Sequence, residues 1–209
     1  AAHPMAGAIM TGGVIEIPLD NMRRTIAKRL TESKQTIPHF YLTIECETDT
    51  LLELRKKLNA KSDAYKLSVN DFVIRAAALA LKKVPEANAS WGGDKILQYR
   101  LVDIAVAVSI PGGLITPIIR NAANKGLAEI SNEMKDLAAR AKAHKLKLDE
   151  FQGGTFSISN LGMYGVKEFS AVINPPQGAI LSLGAGVQRP VVKQGALAVA
   201  TVMSCTLSC

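Results

Sequence analysis

Apolar residues in this chain recur at two periods. Across residues 20–34, Met22, Ile26, Ala27 and Leu30 fall on one face of a 3.6-residue repeat, and Arg23, Arg24, Lys28 and Lys34 fall on the other. The spacing predicts an amphipathic helix capped by Asp20. After Pro38 the period drops to two. Phe40, Leu42, Ile44 and Cys46 alternate with polar residues, which predicts a half-buried strand. Thr50 and Glu53 have capping-box spacing at the head of a short helix over 51–60. Ser68 and Asp71 repeat that spacing before 69–84, a stretch apolar nearly all round and so predicted to be buried. Residues 88–91, 96–99, 102–109 and 114–119 read as strands separated by Gly-rich turns. Gly126 precedes an amphipathic helix over 127–145.

Beyond Gly153 three strand-like runs follow: TFSISNL, GAILSLGAGV and ALAVATVMSCTLSC. In the last, Leu197, Val199, Met203, Cys205 and Leu207 share one face, and Ala198, Ala200, Ser204, Thr206 and Ser208 share the other. The large face fits packing on helices, and the small face fits a channel or another subunit. Helices and strands interleave without regular βα alternation. That predicts an α+β sandwich, a mixed β-sheet flanked by helices, over an undivided 14–209. Residues 1–13 (Ala, Gly and Met with one Pro) read as the end of a linker.

Composition narrows the class. Aromatics are 5% of the 209 residues against 48% hydrophobic residues overall, so the core must be aliphatic. The net charge is +7, dispersed over helices with no basic run and no aromatic interleaving. That argues against nucleic acid and for a phosphorylated cofactor or acidic protein partners. Cys46, Cys205 and Cys209 lack metal-ligand spacing, which predicts no metal site and reduced thiols in a reducing compartment. No run reaches the roughly 18 apolar residues of a membrane span, and no signal-peptide pattern opens the chain.

The candidate chemistry is sparse. His3 lies in the linker stretch. His144 falls at the end of a Lys-rich helix, where a positive side chain suits the helix dipole. His39 follows Ile37-Pro38 at a loop-to-strand junction and reads either as structural or as lying near a substrate channel. LGAGVQ has a Gly pair but no helix after it, so it is not a dinucleotide loop. On composition alone, the hydroxyls of GGTFSISNLG are ordinary strand residues.

Five stretches in order change that reading: IPLDNMRRTIAKRLTESKQTIPHFYLT, KLSVNDFVIRAAALALKKVPEAN, VDIAVAVSIPGGLITPIIR, GGTFSISNLGMYGVKEFSAVINPPQGAILSLG and VMSCTLSC. Together they resemble the catalytic domain of the dihydrolipoamide acyltransferases of 2-oxo-acid dehydrogenase complexes, most like the pyruvate type. The resemblance implies a chloramphenicol-acetyltransferase-like fold and a homotrimer that assembles further into a hollow core. It implies acetyl transfer from dihydrolipoamide to coenzyme A along a channel between subunits. The lipoyl group would be carried on a separate domain. Pyruvate dehydrogenase and dihydrolipoamide dehydrogenase would be bound through domains upstream. Ser159, the second Ser of FSISNLG, matches the family's oxyanion-stabilising serine, and His39, Thr116 and Asn160 are expected along the substrate channel.

The same resemblance implies a general base in a His-x-x-x-Asp-Gly motif. None of His3, His39 or His144 is followed by that pattern. This chain is therefore expected to be nearly inactive by itself, cut short of the motif. The expected compartment is a bacterial cytoplasm or a mitochondrial matrix, with neither nucleic acid nor membrane as partner. Two competing readings are a non-catalytic scaffold subunit of the same complex that binds dihydrolipoamide dehydrogenase, and a free-standing acetyltransferase acting on a small acceptor.

Overall fold

The computed structural model of the protein describes residue 13 and residues 17–209. All of the expected linker except Gly13 lies outside the described residues.

Helix α1 (Asn21–Thr36) starts where the sequence places it, with the Asp20 carboxylate accepting from Arg23 N–H at 2.7 Å. Strand β1 (Tyr41–Glu47) and helices α2 (Asp49–Asn59) and α3 (Val69–Lys83) follow. The α3 capping box forms as predicted. Ser68 Oγ accepts from Asp71 N–H, and the Asp71 carboxylate accepts from Ser68 N–H at 2.7 Å. The box expected at Thr50 does not form, because α2 begins two residues earlier. Thr48 is its N-cap residue, and the Asp49 carboxylate instead accepts from Thr201 N–H at 3.1 Å.

Two predicted strands are each broken in two. Residues 102–109 give β4 (Ile104–Val106) and β5 (Val108–Ile110), and 114–119 give β6 (Gly113–Ile115) and β7 (Ile118–Ile119). The chain leaves the main sheet at Ala107, forms the small β5–β6 hairpin and re-enters at Ile118. Ahead of them, β2 (Ala89–Trp91) and β3 (Ile96–Gln98) form a separate hairpin. Helix α4 (Leu127–Lys142) ends three residues before the predicted Lys145, since His144 takes a left-handed φ of 54° and donates its N–H to Ala141 O. Strands β8 (Phe156–Asn160), β9 (Ile180–Lys193) and β10 (Ala196–Ser208) complete the chain.

The main sheet has the order β1-β10-β9-β8-β4-β7. β8 runs parallel to β4 and β9, and the other pairs are antiparallel. The expected mixed α+β sheet flanked by helices is what forms. Helices α3 and α4 cover one face. Ile74, Ala78 and Leu81 of α3 and Ile130, Met134 and Leu137 of α4 pack with Ile104, Ile119, Phe156, Ile158, Leu183, Met203 and Cys205. Over the opposite face, segment 166–178 and the end of α1 are drawn together, Ser33 donating its hydroxyl to Ile173 O at 2.7 Å.

Several burial expectations change. Phe40, Leu42 and Ile44 are 55%, 50% and 62% exposed, so β1 is an edge strand with an uncovered apolar row. Helix α3 is not buried all round, as Leu79 and Ala80 face out. On α1, Met22 and Ile26 are half-buried, while Ala27 and Leu30 are exposed. In β10 the large face splits. Met203 and Cys205 are core, but Leu197 and Val199, on the part of the β9–β10 hairpin that outruns the helices, are exposed. The small face of β10 is covered within the chain itself, with Ser204, Thr206 and Ser208 all buried.

Candidate active site

Strand alternation decides where the serines of FSISNLG point. Phe156 and Ile158 belong to the helix-side core, so Ser157 and Ser159 project from the other face. Buried Ser157 donates to the Gln177 amide oxygen, and Gln177 Nε2 donates to Gly153 O at 3.0 Å, which ties segment 166–178 to the sheet. Ser159 is half-buried near the C-terminal end of β8 and takes part in no side-chain hydrogen bond among the described residues.

Register extends Ser159 into a row. Ser159 pairs with Ser182 of β9, Ser182 with Thr206 of β10, and Thr206 with Thr43 of β1. Four hydroxyls thus line one face across four strands. Ser182 Oγ accepts from Ala171 N–H at 3.1 Å, and the Thr43 and Thr206 hydroxyls are 2.9 Å apart. Flanking Thr206 on the same face, Ser204 and Ser208 have buried hydroxyls with no partner among the described residues. The small-and-large alternation of β10 is visible in the sequence. The cross-strand alignment that makes Ser182, Thr206 and Thr43 neighbours of Ser159 is not, because it depends on register.

The turn after Ser159 is tightly held. Asn160, on the helix side, accepts from Gly162 N–H at 2.8 Å, and its amide reaches Asn70 of α3 at a longer 3.4 Å. Leu161 N–H donates to Leu183 O, and Ala185 N–H donates to Val166 O. A Cβ on Gly162 would lie 2.7 Å from Gly184 O, and one on Gly184 would run into Lys167 O. Three backbone segments touch here with no room for a side chain between them.

Of the other expected channel residues, Thr116 is half-buried just before β7. Since Ile118 pairs with Ala105 and β4 runs parallel to β8, Thr116 lies at the same end of the sheet as Ser159, one strand beyond β4. His39 is nearer the start of β8 in register, because Phe40 bonds to Cys209 and Ser208 aligns through Ile180 with Ser157. Both its ring nitrogens are engaged. Nε2 accepts from Ile173 N–H at 2.9 Å, which leaves the proton on Nδ1, donating to Ile37 O at 2.8 Å. A lone pair already holding a backbone N–H is not available as a base, so this imidazole pins segment 166–178.

The thiols offer no nucleophile either. Burial, reinforced by the neighbouring Cys46, pushes Cys205 up to about 12, so it stays protonated at neutral pH. No group of three or more His, Cys, Asp or Glu side chains suited to a metal ion occurs among the described residues. Among the described residues the site can therefore present neutral hydroxyl and amide donors to a developing negative charge, and neither His39 nor Cys205 is free to act as a base there.

Comparison with known proteins fits this geometry. The sequence pattern of the 2-oxoacid dehydrogenases acyltransferase (catalytic domain) matches residues 11–209. The chain is 57% identical, over 198 residues, to the dihydrolipoyllysine-residue acetyltransferase component of the pyruvate dehydrogenase complex of Rhizobium meliloti, with 92% of this chain and 44% of the relative covered. It is 52% identical over 211 residues to the mitochondrial counterpart of Schizosaccharomyces pombe, covering 99% of this chain and 44% of that one. The chain thus spans less than half the length of these relatives. Among solved structures, the Azotobacter vinelandii dihydrolipoamide acetyltransferase has a TM-score of 0.91 at 30% identity, covering 94% of this chain and 83% of that one. A serine, a histidine and an asparagine of that enzyme have been investigated for roles in its catalytic mechanism. The cubic core of the pyruvate dehydrogenase multienzyme complex gives the same score and coverage at 31% identity. A chloramphenicol acetyltransferase, at 13% identity and a TM-score of 0.53 over 94% of this chain and 86% of that one, shares the fold alone. The chain belongs to the family of 2-oxoacid dehydrogenase acyltransferase catalytic domains.

Proposed function

We propose that this chain is the catalytic unit that moves an acetyl group from acetyl-dihydrolipoamide to coenzyme A in a pyruvate dehydrogenase complex. The observation carrying this reading is Ser159. It is a hydroxyl with no side-chain partner, held on a rigid strand end beside a turn packed backbone to backbone. In the reaction the coenzyme A thiol loses its proton and attacks the thioester carbon. The carbonyl oxygen becomes an oxyanion, and collapse expels the dihydrolipoamide sulfur, which takes up a proton. Ser159 Oγ–H donates to that oxyanion, a contribution of roughly 2.7–4 kcal/mol for one such donor. Asn160 orients the turn, and Thr116 borders the substrate path from across β4. His39 acts on that path indirectly, by fixing segment 166–178.

Neither described histidine can serve as the base. His39 is fully engaged, and His144 is exposed at the end of α4. Deprotonation of the thiol is assigned to a His-x-x-x-Asp-Gly segment, a pattern that none of His3, His39 and His144 opens. The lipoyl group arrives on a separate domain, and contacts with pyruvate dehydrogenase and dihydrolipoamide dehydrogenase are made by segments other than this one. The homotrimer and its larger core supply the facing subunit, in a bacterial cytoplasm or a mitochondrial matrix.

The test is the acetyl-dihydrolipoamide:coenzyme A reaction, run with this chain and with a polypeptide that continues through the histidine motif. The longer form should turn over and the shorter should not. In the longer form, Ser159→Ala should lower kcat by roughly 10²–10³ with KM little changed. A kcat within about twofold of the parent would remove Ser159 from the mechanism, that being under 1 kcal/mol of barrier.

A further inference from the structure

Segment 166–178 lies outside every helix and strand, between the turn that follows Ser159 and the start of β9. Hydrogen bonds hold it to the rest of the chain. Val166 O accepts from Ala185 N–H, Ala171 N–H donates to Ser182 Oγ, and Gln177 bridges Ser157 and Gly153 O. Midway between the last two sits Ile173, 1% exposed. Its N–H donates to His39 Nε2 at 2.9 Å, and its C=O accepts from Ser33 Oγ at 2.7 Å. Ile173 is thus clasped on both sides by the corner between α1 and β1. Of the groups that hold the segment among the described residues, the His39 imidazole is the one that titrates.

The tautomer fixes the direction of the effect. Nδ1 lies 2.8 Å from Ile37 O, an acceptor, and so carries the proton, whereas Nε2 faces a donor and is bare. Protonation leaves the Nδ1 bond in place. It puts a second hydrogen on Nε2, aimed at Ile173 N–H, so that two donors face each other where one bond stood. The clasped state excludes a proton that the released state accepts, and clasping therefore weakens as pH falls. The ring is half-buried, which leaves it open to solvent protons. Histidine is also the side chain that ordinarily changes charge between about pH 5 and 8.

The titratable and charged groups around the ring are few. Tyr41 of β1 has its ring centroid 6.1 Å away, and its hydroxyl accepts from Lys34 Nζ of α1 at 2.6 Å. Cys209, at the end of β10, pairs through its backbone with Phe40. Segment 166–178 carries only Lys167 and Glu168, and Lys167 O lies against Gly184, at the other end of the segment from Gln177. None of these side chains is hydrogen-bonded to the imidazole among the described residues.

We propose that His39 is a proton-sensitive positioning residue: neutral, it clasps segment 166–178 to the α1–β1 corner, and protonated, it lets that segment go. The segment reaches the candidate site through Ala171, whose N–H holds Ser182, the register partner of Ser159 on β9. That bearing on catalysis rests on the acetyl-transfer reading, whereas the clasp itself does not.

The experiment is hydrogen exchange of the full chain without substrate, at about pH 8 and about pH 5. It is read by mass spectrometry on peptides spanning 166–178 and corrected for the intrinsic pH dependence of amide exchange. Protection there should fall about tenfold or more at the lower pH, while peptides of α3 and α4 keep theirs. His39→Gln places a neutral acceptor within reach of Ile173 N–H and offers nothing to protonate, so its protection should be equal at both pH values. A second reading needs no variant. In nitrogen-labelled parent protein, Nε2 should resonate as a bare acceptor at about pH 8 and as an imidazolium nitrogen at about pH 5. Equal protection at both pH values in the parent overturns the proposal. So does a fall that persists in His39→Gln, or an Nε2 that already carries the proton at about pH 8. Acetyl transfer is measured separately, in the polypeptide that continues through the histidine motif. Turnover together with pH-independent protection sinks the clasp and keeps the acetyl-transfer reading, and a pH-dependent clasp without turnover does the reverse.

Discussion

The two halves of the main sheet are built differently. On the β9-β8-β4-β7 side, the large inward residues share one buried core with α3 and α4: Ile104, Ile119, Phe156, Ile158 and Leu183 are each at most 6% exposed, and Leu181 packs against them half-buried. On the β1-β10 side and along the free part of the β9–β10 hairpin, the same alternation leaves residues uncovered. Ile44 is 62% exposed, Leu197 84% and Val199 69%. Both halves obey period two, so the pattern itself does not distinguish them. What differs is whether the chain supplies a second layer. Helices α3 and α4 cover β9, β8, β4 and β7 and reach Met203 and Cys205 of β10, but leave β1 and the far end of the β9–β10 hairpin exposed. The polar order reverses the contrast. The hydroxyl row runs through both halves, from Ser159 to Thr43, and at its middle Ser182 and Thr206 are buried, Ser182 accepting from Ala171 N–H of segment 166–178.

The sharpest way to break the comparison is to remove a large side chain from the covered half. Ile158→Ala deletes a fully buried residue between the helices and β8, and should cost about 2–5 kcal/mol by chemical denaturation. A loss near zero would mean that α3 and α4 are not what stabilises that half. Next in size is Gly184→Ala, aimed at the packed backbones beside Ser159. The new methyl meets Lys167 O, so segment 166–178 must move. An overpacking cost of about 1–3 kcal/mol is expected, together with faster proteolysis within 166–178. Unchanged protection there would show that the layer has slack.

How much of this was legible in the sequence follows the same division. Local signals held. Asp20 and Ser68 cap helices as their spacing indicates, and the end of α4 is off by three residues only because His144 adopts the left-handed conformation. Signals that depend on a partner did not hold. The Phe40, Leu42, Ile44 alternation reads as a half-buried strand, yet burial needs a covering layer that is not encoded within the strand. Thr50 has the right spacing for a cap, but the Thr201 N–H captures Asp49, and α2 starts earlier. At the candidate site, Ser159 emerged from motif resemblance. Ser182, Thr206 and the Gln177 brace emerged only from register and from a segment folded back over the sheet.

A middle-sized effect concerns charge. The Arg140 guanidinium grips both carboxylate oxygens of Glu150, at 2.6 and 2.7 Å, holding that carboxyl at about 2 instead of its ordinary 4.5. The Lys147 N–H adds to this. Thr201 similarly holds Asp49 below the usual carboxylate range. A carboxyl depressed by folding contributes stability above its unfolded pKa, and that contribution is lost as pH falls toward the folded value. Melting temperature should therefore decline between about pH 4.5 and 2, and Glu150→Gln should flatten the decline. An identical slope in the variant would mean that the bidentate pair is not coupled to folding. In the same preparations, a disulfide reagent at neutral pH should modify Cys46 and Cys209, both half-buried, before Cys205. The Cys205 thiol is buried and pushed up to about 12. Cys205 reacting first would contradict the covered state of that part of β10.

The smallest expected effect is on the uncovered half, where a null result is the informative one. Leu197 and Val199 make little contact within the chain, so Leu197→Ser and Val199→Thr remove almost no buried area. If the exposed row is surface and nothing more, each should fall within about 0.5 kcal/mol of the parent at low protein concentration. Replacing them on a β-prone hairpin should at the same time reduce self-association, since uncharged apolar strands invite edge pairing. The two expectations separate with concentration. A contact between copies makes melting temperature rise with protein concentration, because whatever binds only the folded state stabilises it by mass action. In the parent chain that rise should be present, and in the double variant it should be reduced or gone, while the two melt together when dilute. A clear loss of stability in the dilute variant would show that Leu197 and Val199 are already buried by something within the chain, and the distinction between a covered and an uncovered half would fail at the hairpin.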